Sequence, residues 1–219
     1  MCNLKYFVSD DIIKKIFRKV AGDFIIPMAT FAERRILSMK KVSVFLAEGF
    51  EEIEGLTVVD ILRRAGVHTD MVSINDSLQI TGAHGITVKA DITFEKMDFS
   101  DVDMLVLPGG MPGTLHLQEH SGLSGLLCAY DKEDKFLAAI CAAPSVLGGL
   151  GILKGKKACC YPSFEEKLIG AEVVMEPAIQ DGHVITGRGM GTALTFALKL
   201  TEALCGLEKA EEVKKSILF

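Results

Sequence analysis

Short apolar runs alternate with longer stretches of helical period along most of this chain. Lys41 to Ala47 is apolar over the length of a strand. Ile53 to Arg64 then repeats Ile53, Leu56, Val59, Ile61 and Leu62 on one helical face, and Gly66 ends it. This predicts a βα unit, with Val67 to Ile74 as the next strand and Gln79 to Ala90, carrying two glycines and alternating Ile86, Val88 and Ala90, as a small hairpin. Asp103 to Leu107 reads as a central parallel strand ending in Pro108-Gly109-Gly110, with a loop to follow. Further on the pattern predicts a helix over Leu123 to Tyr130, a buried strand over Phe136 to Ile140 and a helix starting at once over Ala142 to Leu150. Lys157 to Tyr161 is then expected as a strand and Phe164 to Ile169 as a short helix. A hairpin turning at Asp181-Gly182 joins Val173–Ile179 to His183–Thr186, and a closing helix spans Ala193 to Leu204. Strands and helices in this alternation imply an α/β fold, a doubly wound, mainly parallel sheet with helices on both faces.

The first 38 residues differ from the rest. A Lys- and Ile-rich segment of roughly helical period precedes an apolar stretch at Phe24 to Met28, and Met39-Lys40-Lys41 then opens a clean strand. Residues 1–38 are therefore read as an N-terminal extension, loosely ordered or a misassigned start, rather than an amphipathic anchor, and 39–219 as the α/β domain. Phe136 to Leu153 is free of charge over nearly the length of a membrane span, but Pro144 and three glycines interrupt it. It reads as strand, turn and helix.

At 219 residues the chain suits one ordinary domain. Asp plus Glu exceeds Lys plus Arg by only 29 − 24 = 5, a balance that argues against a dedicated binder of nucleic acid or anionic membrane. The six cysteines show no CxxC pair and no His at zinc-ligand spacing, so neither a disulfide framework nor a metal is expected. No secretory signal is legible at the start, and a cytoplasmic location is the expectation.

Ala138-Ala139-Ile140-Cys141-Ala142-Ala143-Pro144 carries the sharpest chemistry. A buried strand runs into a helix with no room for a loop, so Cys141 must occupy a tight nucleophile elbow that its small neighbours permit. The following helix points its N-terminus at the thiol, which favours thiolate. A buried, inert cysteine is the rival reading. In an open parallel sheet the crevice lies at the carboxyl ends of the strands, which is where Gly109, Gly110 and the loop after Ala47 also end. The N–H groups of Gly110 and Ala142 are candidates for an oxyanion hole there. Glu48 to Glu54 supplies carboxylates, of which Glu54 lies one position inside the apolar helix.

Glu51-Glu52-Ile53-Glu54, Leu107-Pro108-Gly109-Gly110, Ala139-Ile140-Cys141-Ala142-Ala143-Pro144 and Thr186-Gly187-Arg188-Gly189-Met190-Gly191-Thr192 closely resemble the signature segments of the ThiJ/PfpI superfamily. The resemblance runs from Met39 to about Leu218 and is greatest to the parkinsonism-linked deglycase branch and its bacterial relatives. It implies a flavodoxin-like sandwich, Cys141 as nucleophile and oxidation-sensitive thiol, Glu54 as its protonated partner, Gly110 and Ala142 as oxyanion donors, a homodimer, and no cofactor. Ala142 stands where the peptidase-like branch has a His, which disfavours proteolysis. Tyr161 stands where the parkinsonism-linked branch has a His near the thiol. His84 aligns with an interface loop, from which it would reach a partner's pocket unless it is a plain surface residue. Arg188 binds an anion near the crevice or stabilises a turn through an ion pair. Cys159-Cys160 is either a vicinal disulfide or two thiols on opposite faces. The implied activity is cofactor-free chemistry on reactive dicarbonyls or glycated substrates, with a non-catalytic redox sensor or chaperone-like protein as the alternative.

Overall fold

Val42, Val44 and Leu46 point to one side of their strand and Phe45 to the other, and all four are fully buried. A strand with both faces covered belongs inside a sandwich. The computed structural model describes residues 39–219, and the reading of residues 1–38 as an extension lies outside them. A seven-stranded sheet runs in the order β10-β11-β7-β6-β1-β2-β5. Its strands are β1 (Lys41–Leu46), β2 (His68–Ser73), β5 (Ile92–Thr93), β6 (Met104–Leu107), β7 (Phe136–Ile140), β10 (Ala178–Asp181) and β11 (Val184–Gly187). All pair in parallel except β10 with β11.

On one face the sheet packs α1 (Glu52–Arg64) and α5 (Ala193–Cys205), with Met104, Val106, Ala138 and Ile140 meeting Val58, Leu62 and Phe196. On the other, Leu105, Leu107, Leu137 and Ala139 meet side chains of α2 (Gly113–Glu119), α3 (Ser121–Lys132) and α4 (Pro144–Gly149). The period-2 alternation of the strands thus feeds two cores, each fully buried Leu or Phe contributing about 1.5–3 kcal/mol. Glu51 caps α1, its side chain accepting the Glu54 N–H, and Arg63 and Arg64 close the helix at its negative end. A hairpin of β3 (Gln79–Thr81) and β4 (Thr87–Lys89) forms separately, as expected.

Several elements differ from the pattern reading. The loop expected after Gly110 contains α2, and a final helix, α6 (Leu207–Ser216), had no counterpart in it. The strand over Lys157–Tyr161 is cut to β8 (Lys157–Ala158), paired with β9 (Glu172–Val173) outside the main sheet. It stops because its next donors are taken elsewhere: the Cys159 N–H by Thr186 Oγ1 and the Tyr161 N–H by Cys141 O. Phe164–Ile169 holds only a 3₁₀ turn, Glu165–Lys167, and Pro177 separates Val173 from the hairpin strand. The uncharged stretch over Phe136–Leu153 is β7 and the short α4. Among the described residues, no helix is long and apolar enough to cross a membrane.

Candidate active site

The carboxyl ends of β1, β6 and β7 converge where the sheet changes direction, with β1 lying between β2 and β6. In such sheets this is where crevices open. β7 delivers Cys141 into it with φ 65, a left-handed conformation that costs a side-chain-bearing residue about 1–3 kcal/mol. The surroundings hold it there. The Cys141 N–H donates to Gly187 O (3.0 Å), Cys141 O accepts the Tyr161 N–H (2.8 Å), and the Ala143 N–H donates to Ile140 O (3.1 Å). Ala142 and Ala143 are buried, so larger side chains would collide with the core.

Glu54 reaches the same spot from the first turn of α1 and is fully buried. Its Oε2 accepts the Gly109 N–H at 2.9 Å, whereas Oε1 has no hydrogen-bond partner among the described residues. A buried carboxylate oxygen without a donor is costly, and a proton on the carboxyl removes the cost. Burial accordingly pushes Glu54 up to about 7, the charge of Glu51 adding to the rise, against the opposing pull of Cys141 and of the Gly109 N–H. Thiol and carboxyl interact, though short of a well-aligned hydrogen bond.

The expectation of a depressed Cys141 is not met as a property of the thiol alone. Burial, followed by the charge of Glu54 and its contact with the sulfur, pushes Cys141 up to about 12, while the Ala142 and Gly110 N–H groups pull it down. The helix expected to supply a macrodipole is α4, which is six residues long and begins at Pro144, not at the thiol. Two backbone N–H groups take its place. Of the two neighbouring groups Glu54 ionises first, near 7, and its charge helps Cys141 to keep its proton far longer.

Glycine is required around this pair for space. A Cβ on Gly109 would stand 2.6 Å from Cys141 Cβ and 2.7 Å from Glu54 Oε2. A Cβ on Gly110, whose φ is 91, would stand 2.3 Å from Glu51 N.

The remaining candidates fall into two groups. Tyr161 is tied to Cys141 through its N–H, its ring half-exposed and close over Gly189. Arg188 follows Gly187, the acceptor of the Cys141 N–H, and no carboxylate among the described residues lies within salt-bridge distance of it, so the turn-stabilising ion pair is absent there. His84 is placed differently. It is exposed at the hairpin tip, its Nδ1 2.9 Å from Glu52 Oε2, and its N–H donates to Glu52 Oε1 at 2.8 Å. Burial raises Glu52, but the His84 contact and the backbone N–H groups outweigh it and hold the carboxyl below its ordinary range; the same contact raises His84. Glu51, Glu52 and His84 offer three ligand atoms within 4.8 Å of one another, and these hydrogen bonds make the cluster an anchor for the hairpin. Cys159 and Cys160 are both free and buried. The residue passed over in the sequence is Glu51. Its spacing from Glu54, three residues on, is that of a helix cap, and was the available signal.

Fold and site together define an α/β protein with a strained cysteine at a strand-to-helix elbow, facing a buried carboxyl and two backbone donors. The chain belongs to the DJ-1/PfpI family, whose model matches residues 40–203. It is 38% identical over 184 residues to Protein DJ-1 homolog B of Arabidopsis thaliana, covering 83% of this chain and 42% of that protein, so it spans less than half of that plant relative. The crystal structure of Drosophila melanogaster DJ-1beta superposes with a TM-score of 0.79 at 36% identity, covering 82% of this chain and 97% of that one. A protein of Pyrococcus horikoshii named Deglycase PH1704 is 33% identical over 151 residues, 68% of this chain and 89% of its own.

Proposed function

We propose that the protein is a cofactor-free enzyme that converts reactive dicarbonyls such as methylglyoxal into 2-hydroxy acids through Cys141, and acts on early glycation adducts by the same chemistry. The observation that carries this reading is the Glu54–Cys141 pair, poised to lose one proton near 7 beneath two N–H donors. The Glu54 carboxylate, formed near 7, takes the Cys141 proton as the sulfur adds to the aldehyde carbon, which leaves the carboxyl protonated. The new alkoxide lies against the Gly110 and Ala142 N–H groups. Glu54 gives its proton to the alkoxide, takes the proton from the former aldehyde carbon to leave an enediolate, and returns a proton to the neighbouring carbon, while the proton on the first oxygen passes to the second. The product is a thioester of the 2-hydroxy acid. Water hydrolyses it and releases the thiol. One carbon is oxidised and its neighbour reduced, so no external oxidant or metal enters the balance.

The deglycase name of the archaeal relative supports this reaction class. Ala142 in place of a His after the nucleophile disfavours proteolysis. A redox sensor would need only the oxidisable thiol, whereas the donors around it give the alkoxide a place. The test is lactate formation from methylglyoxal without added glutathione. Lactate released at a rate proportional to enzyme is the expected result; consumption of methylglyoxal with no lactate would sink the proposal.

The protein is further proposed to act as a homodimer, cytoplasmic as the sequence suggests. Support comes from exposed apolar side chains gathered beside the site. Ile53 (49% exposed) and Ile86 (55%) line a shallow groove with Leu56 and Leu194. Apolar surface grouped in this way marks contact regions. Light scattering after size exclusion is expected to give twice the chain mass, and Ile53→Asp to give one chain mass; a wild-type monomer at micromolar concentration would remove the dimer.

A further inference from the structure

The loop between β1 and α1 and the loop after β6 pack backbone against backbone, and three hydrogen bonds close a ring between them. The Glu51 N–H donates to Gly109 O at 2.9 Å, the Gly109 N–H to Glu54 Oε2 at 2.9 Å, and the Glu54 N–H to Glu51 Oε2 at 2.7 Å. The Gly109 carbonyl and the Gly110 N–H belong to one planar peptide and point in opposite directions. Holding that carbonyl on Glu51 therefore aims the Gly110 N–H away from α1, on the side where it pulls the Cys141 thiol down. There is no slack in the arrangement, because a Cβ on Gly110 or Gly113 would run into the backbone of residues 49–51.

We propose that Glu51 is a positioning residue of the site: through this ring it sets both the direction of the Gly110 N–H at Cys141 and the placement of the Glu54 carboxyl, without touching substrate. The proposal rests on the reading of Cys141 and Glu54 as the reacting pair. The titratable groups facing the Glu54 carboxyl are Cys141 from the β7–α4 elbow and Glu51 from the helix start. Behind Glu51 stand Glu52 and His84, with His84 Nδ1 3.9 Å from Glu51 Oε1. Glu51 acts on Glu54 in two ways, by holding its N–H and by repelling its charge, and two substitutions separate them. Glu51→Gln keeps a side-chain oxygen for the cap and removes the charge. Glu51→Ala removes both.

The experiment is the alkylation rate of Cys141 against pH, with mass-spectrometric site assignment, together with the pH profile of kcat/KM. Glu51→Gln is expected to move the step near 7 down by roughly 0.5–1 pH unit with its plateau rate retained. Glu51→Ala is expected to lose about tenfold in plateau rate, a loss that Gln rescues. If both variants, folded by circular dichroism, titrate and react like wild type, or if Ala lowers only the melting temperature, Glu51 is a helix cap and nothing more. Absence of lactate from the wild type would overturn the proposed reaction, and the alkylation profile would still decide the role of Glu51.

Discussion

Serine in place of Cys141 is expected to lower methylglyoxal turnover by at least about a thousandfold while leaving the fold intact. Serine differs from cysteine by one atom and meets the same backbone demands at φ 65, so the hydrogen bonds to Gly187 and Tyr161 that hold the elbow remain available. What changes is the nucleophile. An alcohol at this position has no accessible anion near neutral pH, and the groups that favour a charged sulfur are too few to ionise a hydroxyl. The same variant also tests the thiol as the site of oxidation. Mild peroxide is expected to modify Cys141 ahead of the other cysteines in the wild type, because Glu54, ionised near 7, is placed to take the thiol proton as the sulfur reacts. Burial raises Cys159, Cys160 and Cys205, and among the described residues none of them has a carboxyl in hydrogen-bond contact to take the proton. Unchanged turnover in Cys141→Ser, or faster alkylation at Cys128, Cys159 or Cys205, would remove Cys141 from the mechanism.

Glu54 is expected to show the opposite of a structural residue, in that replacing it stabilises the protein. Its folded value of about 7 lies above the usual 4.5 because a buried carboxylate is penalised first by lost solvation. The folded state therefore binds this proton more tightly than the unfolded chain does. The stability linked to it is complete below about 4.5, falls as pH rises, and is gone above about 7. The loss is on the order of 3 kcal/mol. Glu54→Gln keeps an oxygen for the Gly109 N–H and does not titrate. It should therefore be more stable than wild type at pH 8 by up to that amount, with the gap closing toward pH 4.5. Urea unfolding at both pH values measures it, and a gap that did not depend on pH would show that Glu54 is not held protonated. Turnover moves the other way. Without a carboxyl to shuttle the proton, Glu54→Gln and Glu54→Leu are expected to lose at least about a hundredfold in kcat. Glu54→Leu should also erase the step near 7 from the alkylation profile and leave only a higher titration. Fold stability and proton storage are thus set against each other at one residue.

The alternation of apolar runs was enough to read the parallel sheet with helices on both faces, because burial on two sides makes each strand a short continuous apolar run and burial of one face gives each helix period 3.6, whatever lies far away in the chain. The same local logic placed Cys141 directly after a strand and Glu54 in the first turn of a helix, although the turn takes Cys141 to Ala143 before the next helix begins at Pro144. Small side chains next to Cys141 and glycines after β6 were visible for the same reason. Local pattern failed where a distant partner decided the outcome. The strand after Lys157 stops because Thr186 and Cys141, far away in sequence, take its N–H groups. The thiol rises instead of falling because burial and the Glu54 charge outweigh two N–H donors, a balance that exists only once β7 and α1 meet. Glu51 was legible as one carboxylate among several. Its ring through Gly109 to Glu54 depends on two loops from different strands closing at hydrogen-bond distance, and only the tertiary structure brings them there.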